Sequence, residues 1–263
     1  MSSRNPGQSV LETVAQRYPV LETLEGDPRN KRDLVEDLDC SRSTIDRAVR
    51  ELESLGLIER IDGDYRLTIA GDLVLEKYRS SVEAVDSIAG VSDVFDYVPR
   101  GAPMAACVLE GARIDRPEPH APNEPLRRVA KQVTADVDRF RGISGSERIP
   151  HFREHLYEHT VDGTLDAEVV ITDQIATFLL SNHPTQVQDV ITDGDFDFHV
   201  IDSVPYGLII LETPTRSVMF LVIYAEPGVI VIENNSREAI EWADGIYRRY
   251  RAIATPFEVP DTS

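Results

Sequence analysis

Between Ser41 and Leu55 the chain sets out a row of side chains able to recognise an anionic partner. In Ser41-Arg42-Ser43-Thr44-Ile45-Asp46-Arg47-Ala48-Val49-Arg50-Glu51-Leu52, the apolar Ile45, Val49, Leu52 and Leu55 recur at helical spacing and define one buried stripe. Ser43, Asp46, Arg47, Arg50 and Ser54 fall on the opposite side, so guanidinium groups and hydroxyls share a solvent face. Ser41 is a good N-cap, its hydroxyl placed to accept from a free amide of the first turn, and Gly56 is a stop signal. A helix N-terminus offers amides and the positive end of a dipole to phosphate, and arginine can read guanine edges in a major groove. The plainer alternative is that Arg42, Arg47 and Arg50 only solvate an amphipathic helix.

Other potential chemistry is sparser. His151, His155 and His159 recur every four residues, and two histidines at that spacing on a helix can share a metal. A zinc site wants further ligands in fixed geometry, and a polar face beside Phe152, Leu156 and Tyr157 explains the stripe without one. No metal and no cofactor is predicted. Asp193-Gly194-Asp195-Phe196-Asp197 lacks the remaining positions of a calcium loop and reads as an acidic turn. Arg248-Arg249-Tyr250-Arg251 can touch phosphate, yet helix C-termini attract arginines in any case. Trp242, the only tryptophan, reads as an anchor of the last helix. The sequence has no glycine-rich phosphate loop, no Gly-x-Ser-x-Gly elbow and no paired-cysteine zinc signature, so no enzyme is predicted. Cys40 and Cys107 read as reduced, partly buried thiols.

The elements that must position the Ser41–Leu55 face are readable around it. Asn30 can cap a shorter helix, Lys31 to Leu38, with Leu34, Val35 and Leu38 inward. Leu57 to Ile61 and Tyr65 to Thr68 are strand-like runs around Asp62-Gly63-Asp64, a hairpin signal. Helix, helix, strand, turn, strand describes a winged helix-turn-helix. Residues 1 to 8 read as a disordered lead-in. Val10, Leu11, Val14 and Ala15 mark a supporting helix that Pro19 interrupts or restarts. From Gly71 to about Val98, Leu75, Tyr78, Val82, Val85 and Ala89 form a heptad-like seam, either pairing two protomers or packing on the C-terminal domain. Pro99-Arg100-Gly101-Ala102-Pro103 breaks the chain.

Beyond it, Pro125 opens a helix to about Phe140, with Leu126, Val129, Val133 and Val137 on one face, and residues 141 to 146 read as a turn. Leu165 to Ile171, Phe196 to Ile201, Gly207 to Leu211, Val218 to Tyr224 and Val229 to Glu233 are strands, three of them nearly continuous apolar runs that suggest cover on both faces. Gln174 to Leu180 is helical, and Ser236 caps a last helix buried through Ile240, Ala243, Ile246, Tyr247 and Tyr250. The fold class is therefore α+β. Residues 1–70 form the winged helix-turn-helix domain, 71–98 a linker or dimerisation helix, and 99–263 a C-terminal α/β sensing or regulatory domain.

Composition limits the partners. The formal charge is −19, and the 27 basic residues include only three lysines. Residues 1 to 70 carry 10 basic and 14 acidic side chains, so even this part is net negative. Long-range steering toward DNA is then unfavourable at low salt, and attraction must come from a local face. An acidic, lysine-poor surface is also expected of a protein from a high-salt cytoplasm, where repulsion is screened within a few ångströms. No apolar run approaches a membrane span, and the N-terminus has no apolar signal region, which predicts a cytoplasmic protein without a membrane partner.

Taken together the residues resemble the winged helix-turn-helix regulators of halophilic archaea, whose C-terminal region is related to the middle domain of a methanogenesis regulatory protein of methanogens. Leu38 to Arg47, Glu51 to Ile58 and Tyr65 to Gly71 carry the resemblance in the first part. Pro205-Tyr206-Gly207-Leu208, Glu238 to Ala243 and Tyr247 to Arg251 carry it in the second. The resemblance implies a sequence-specific transcriptional regulator with a sensing or assembly domain; it supplies no ligand and no target. The combined expectation is a homodimer on double-stranded DNA under the control of an unidentified small-molecule effector or partner, acting through the C-terminal domain at a site that is unknown. Ser43, Thr44, Arg47 and Arg50 would enter the major groove, Arg42 and Lys31 would lie nearer the backbone, and Tyr65 and Arg66 would belong to the wing. The rival is a winged helix used only for protein interaction.

Overall fold

The computed structural model describes residues 6–134, 136–148, 150–161, 163, 165–192 and 196–257. The chain divides into two compact units, Met1–Asp86 and Ser87–Ser263. The division falls earlier than the 98/99 boundary expected from the proline-rich break, because Val91 and Val94 are buried in the core of the second unit.

The first unit runs α1 (Pro6–Thr23), α2 (Lys31–Asp37), α3 (Arg42–Ser54), β1 (Ile58–Ile61), β2 (Asp64–Leu67) and α4 (Ile69–Ala89), whose residues 87–89 already count with the second unit. Residues 6 to 8 are the first turn of α1 rather than lead-in, and residues 1–5 lie outside the described residues. Proline 19 does not interrupt α1: Val14, Val20 and Leu21 are buried on both sides of it, and this packing holds the helix together through the lost backbone donor. The β1–β2 hairpin closes on Asp62-Gly63, both at positive φ, the two-residue turn whose twist suits paired strands. Arg29 adds a single bridge to Tyr65, its amide donating to the Tyr65 carbonyl at 2.9 Å.

Immediately after β2, the Thr68 hydroxyl donates to the Gly56 carbonyl at 2.6 Å and accepts from the Gly71 amide at 3.1 Å. Gly71 packs so closely on the hairpin's start that a Cβ there would lie 2.0 Å from the Leu57 carbonyl oxygen. Of the expected α4 seam, Leu75 belongs to the core of this unit and Tyr78 packs on Tyr18 at 5.4 Å between ring centroids. Val82, Val85 and Ala89 are exposed. Leu55, expected in the buried stripe of α3, is also exposed, because it is the C-cap and the helix has ended.

The second unit is a sheet of eight strands in the order β10-β6-β5-β4-β7-β8-β9-β3. Its strands are β3 (Arg113–Asp115), β4 (Arg139–Ser144), β5 (Asp166–Thr172), β6 (Phe196–Ile201), β7 (Gly207–Glu212), β8 (Ser217–Tyr224), β9 (Val229–Asn234) and β10 (Thr255–Pro256). β4, β5 and β6 are parallel to one another, and the remaining pairs are antiparallel. The helices are α5 (Glu124–Ala130), α6 (Pro150–Val161), α7 (Asp173–Asn182), α8 (Pro184–Thr192) and α9 (Arg237–Ile253). One face of the sheet packs with α5 to α8 around Phe140, Val169, Leu179 and Phe220, the other with α9 around Ile143, Leu208, Ile210 and Tyr247. Cover on both faces accounts for the continuous apolar runs of β7 to β9.

Two expectations fail at β4. The helix from Pro125 ends at Ala130, and residues 139–144, expected as helix end and turn, are a central strand. Gly142 and Arg141 mislead here. Gly142 is in the strand because a Cβ would come within 2.8 Å of Phe140 Cε1. Arg141 is buried because Glu212 of β7 and Asp244 of α9 both accept from its guanidinium, which also lies over the Tyr247 ring at 5.5 Å. Beside it Glu168 accepts from Arg139 and, at 3.0 Å, from the Tyr247 hydroxyl. Burial pushes the Glu168 carboxyl up, but these hydrogen bonds outweigh it and leave it below the usual range.

Candidate nucleic-acid interface

Two caps and a turn build the face. The Asn30 side chain accepts from the Arg32 and Asp33 amides at 2.9 and 3.1 Å while Asp33 reaches back to the Asn30 amide, a reciprocal capping box. Asp39, at φ 47°, redirects the chain between α2 and α3. Ser41 Oγ then accepts from the Thr44 amide at 3.2 Å and lies 2.9 and 2.8 Å from the Ser43 and Thr44 hydroxyls. Three hydroxyls thus cluster on the first turn of α3. Behind them Leu34, Ile45, Ala48, Val49 and Leu52 are buried with Val14 and Leu21, which fixes the rotation of α3 about its axis.

The five α3 residues expected to meet DNA, Arg42, Ser43, Thr44, Arg47 and Arg50, are all exposed on one side. Their charges are partly internally compensated. Glu51 accepts from Arg17 Nε at 2.8 Å and from Arg47 Nε at 2.9 Å, and these two cations, Arg17 foremost, hold its carboxyl below the usual range. Lys31 Nζ lies 2.6 Å from Asp46, which lowers the Asp46 carboxyl and raises the Lys31 ammonium. Arg42 and Arg50 form no ion pair among the described residues, yet both lie near enough to Asp46 to help hold it low. Exposed pairs of this kind are worth about 0–1 kcal/mol, less than one charge-assisted contact to phosphate at roughly 1.5–3 kcal/mol. Arg47 and Lys31 can therefore exchange their carboxylates for a nucleic-acid partner.

In the hairpin the two expected residues separate. Arg66 is exposed and donates to Glu59 at 2.9 Å. Tyr65 is not a surface contact: strand alternation turns it inward with Leu67, and it is only 4% exposed. Its ring instead lies 5.7 Å beneath the Lys31 ammonium and 5.8 Å from the Arg60 guanidinium, so it orients two cations. Arg60 escaped the sequence reading. Its position directly across from Tyr65 follows from the two-residue turn and was the available signal. The Arg29 bridge has no sequence signature.

The remaining candidates do not assemble into a second site. His155 and His159 stack edge-on at 4.6 Å, and His155 Nε2 lies 2.5 Å from the Val133 carbonyl; the side chain of His151 lies outside the described residues. Among the described residues no three His, Cys, Asp or Glu side chains stand together as metal ligands. Asp193, Gly194 and Asp195 lie outside the described residues. Trp242 packs half-buried against the core under α9, and Arg248 pairs with Asp244 at 2.8 Å. No described helix is long and apolar enough to cross a membrane.

Residues 122–253 match the family model described as "Methanogenesis regulatory protein FilR1, middle domain". Residues 7–89 match that described as "HVO_A0261 N-terminal domain". No curated protein matches the chain. Among solved structures, TrmBL2, described as an archaeal chromatin protein with a novel mode of DNA binding, aligns over 94% of this chain and 98% of its own, at 11% identity and a TM-score of 0.46. A Nostoc punctiforme protein described as an O-methyltransferase aligns over 77% of this chain and 66% of its own, at 15% identity and a TM-score of 0.25.

Proposed function

The chain belongs to the FilR1 middle-domain family, and we propose on that basis that it is a regulator of transcription whose first unit binds double-stranded DNA. The observation that carries the reading is the exposed face of α3, where Arg42, Ser43, Thr44, Arg47 and Arg50 stand together behind the Ser41 cap. Its N-terminal turn offers amides and hydroxyls to phosphate, and Arg47 and Arg50 reach base edges in the major groove. Arg66 and Arg60 on the hairpin add backbone contacts, and Lys31 joins them when it leaves Asp46. The exposed Val82, Val85 and Ile88 of α4 support a homodimer paired through that helix. The second unit is the sensing part, answering to a small molecule.

One observation favours a second reading, a protein-interaction module without DNA binding: the cations of the face stand among Asp46, Glu51 and Glu59 in a net negative unit. Chromatin immunoprecipitation of the tagged protein, beside an Arg47→Ala, Arg50→Ala variant in the same cells, separates the two. Discrete peaks sharing a sequence motif and lost in the variant are expected. Absence of peaks across several growth conditions would favour the interaction module.

A further inference from the structure

Folded interiors are close-packed, with few voids larger than a water molecule, yet the second unit holds a cavity of about 150 Å³ between its sheet and α6 to α8. Val169 and Ile171 of β5 line one side; Leu156 of α6, Leu179 of α7 and Val187 of α8 line the other. All five are buried and apolar. An apolar space of this size admits a group as large as a benzene ring. Two strand glycines border the space: a Cβ at Gly207 would lie 2.8 Å from the Tyr224 hydroxyl, as one at Gly142 would crowd the Phe140 ring. Glycine at these places lets aromatic side chains form the wall.

One end of the cavity is polar. Glu147 accepts from Arg153 Nε at 2.8 Å, and Arg153 also donates to Gln186. Arg153 is thereby neutralised. Arg148 differs: its guanidinium lies 5.8 Å over the Tyr224 ring, and among the described residues its buried Nε has no hydrogen-bond partner and its side chain no ion pair. Tyr224 is fixed in turn, its hydroxyl accepting from the Gly145 amide at 3.1 Å. A buried donor on a cation without a counter-ion is costly unless an anion meets it. The second Glu147 oxygen is also buried and, among the described residues, without a partner, and it repels a dianion or a second acidic group.

We propose that this cavity binds a small apolar monocarboxylate, with an alkyl or aromatic body between the sheet and the helices and its carboxylate on Arg148. The inference gives the sensing role of the second unit its chemistry. It rests on that reading only for its consequence in the cell, because the test contains no DNA and fails or succeeds independently of DNA binding.

Isothermal titration of the full chain with octanoate and with 1-octanol tests it, on the parent, Arg148→Gln and Val169→Phe proteins. Octanoate is expected to bind at a single site at least about tenfold more tightly than octanol, the worth of one charge-assisted hydrogen bond. Arg148→Gln should bring octanoate down to the octanol level and leave octanol unchanged, and Val169→Phe should weaken both by filling the space. Should Val169→Phe fail to fold by circular dichroism, the Arg148→Gln comparison decides alone. The proposal is overturned by no octanoate binding to the parent, by octanol binding as tightly as octanoate, or by equal octanoate affinity in Arg148→Gln.

Discussion

On α3 the residues that would meet a partner come from a single helix and point into solvent, whereas around the cavity residues from Leu126 to Tyr224 are gathered by strands and helices far apart in the chain. The two regions hold their recognition groups by different means. The α3 face rests on a buried stripe beneath it, so its outer side chains contribute little to stability and can change without disturbing the fold. The cavity walls are also the core of the sheet, so a change there alters recognition and stability together. Electrostatically the contrast is as sharp: the face arranges several cations and carboxylates in water, where each pair is weak, while at the cavity one half-buried guanidinium has a buried Nε that meets no acceptor among the described residues.

Four substitutions and two changes of solvent bear on this contrast. Leu179→Ala should cost about 2–5 kcal/mol by enlarging an existing void, read as a lower urea midpoint, while DNA affinity measured on the folded protein stays unchanged. If Leu179→Ala left the midpoint where it was, cavity and core would not be one structure. Arg47→Ala should cost about 1–3 kcal/mol on specific DNA and relax base preference, with the urea midpoint within about 0.5 kcal/mol of the parent; a loss equal on all sequences would make Arg47 a phosphate contact. Ser41→Ala, which removes the cap common to the fold and the face, should cost roughly 1 kcal/mol of first-unit stability, followed by proteolysis of that unit.

A pH series gives the next effect. Glu51 and Glu168 both lie below the usual carboxylate range. The stability they contribute is therefore present above the unfolded carboxyl pKa and is lost as pH falls through their depressed values. Glu51→Gln should flatten the acid limb of the urea midpoint between pH 5 and pH 2, about the span over which such carboxylates titrate; an unchanged limb would leave its two arginine partners without a role in stability. The smallest effect expected is a gradual rise of the thermal midpoint with KCl concentration, because screening relieves the self-repulsion of a −19 chain. A midpoint that falls with salt would contradict the high-salt expectation.

Much of this was legible in the sequence where structure is local. The Ser41 and Asn30 caps, the Asp62-Gly63 turn and the Ser236 cap each depend on a few adjacent residues, and the pattern that betrays them is equally short. The strands β5 to β9 were legible because runs such as Val218 to Ile223 have no other place than a covered sheet. β4 was not, since Arg141 and Gly142 argue against a central strand until Glu212, Asp244 and Phe140 arrive from elsewhere in the fold. Tyr65 was read outward from its place in a wing, yet the alternation with Leu67 already turned it inward. Arg148 gave no signal at all: its isolation depends on Arg153 taking Glu147 and on Tyr224 lying beneath it, contacts that span the domain.

The lock at Gly71 has a mechanical consequence. With Thr68 tied to Gly56 and the first turn of α4 pressed on the Leu57 carbonyl, no slack separates the hairpin from the helix that follows it. Twisting α4 about its axis therefore turns the wing with it, as a crank turns its handle, and a bulkier residue at position 71 would pry the two apart.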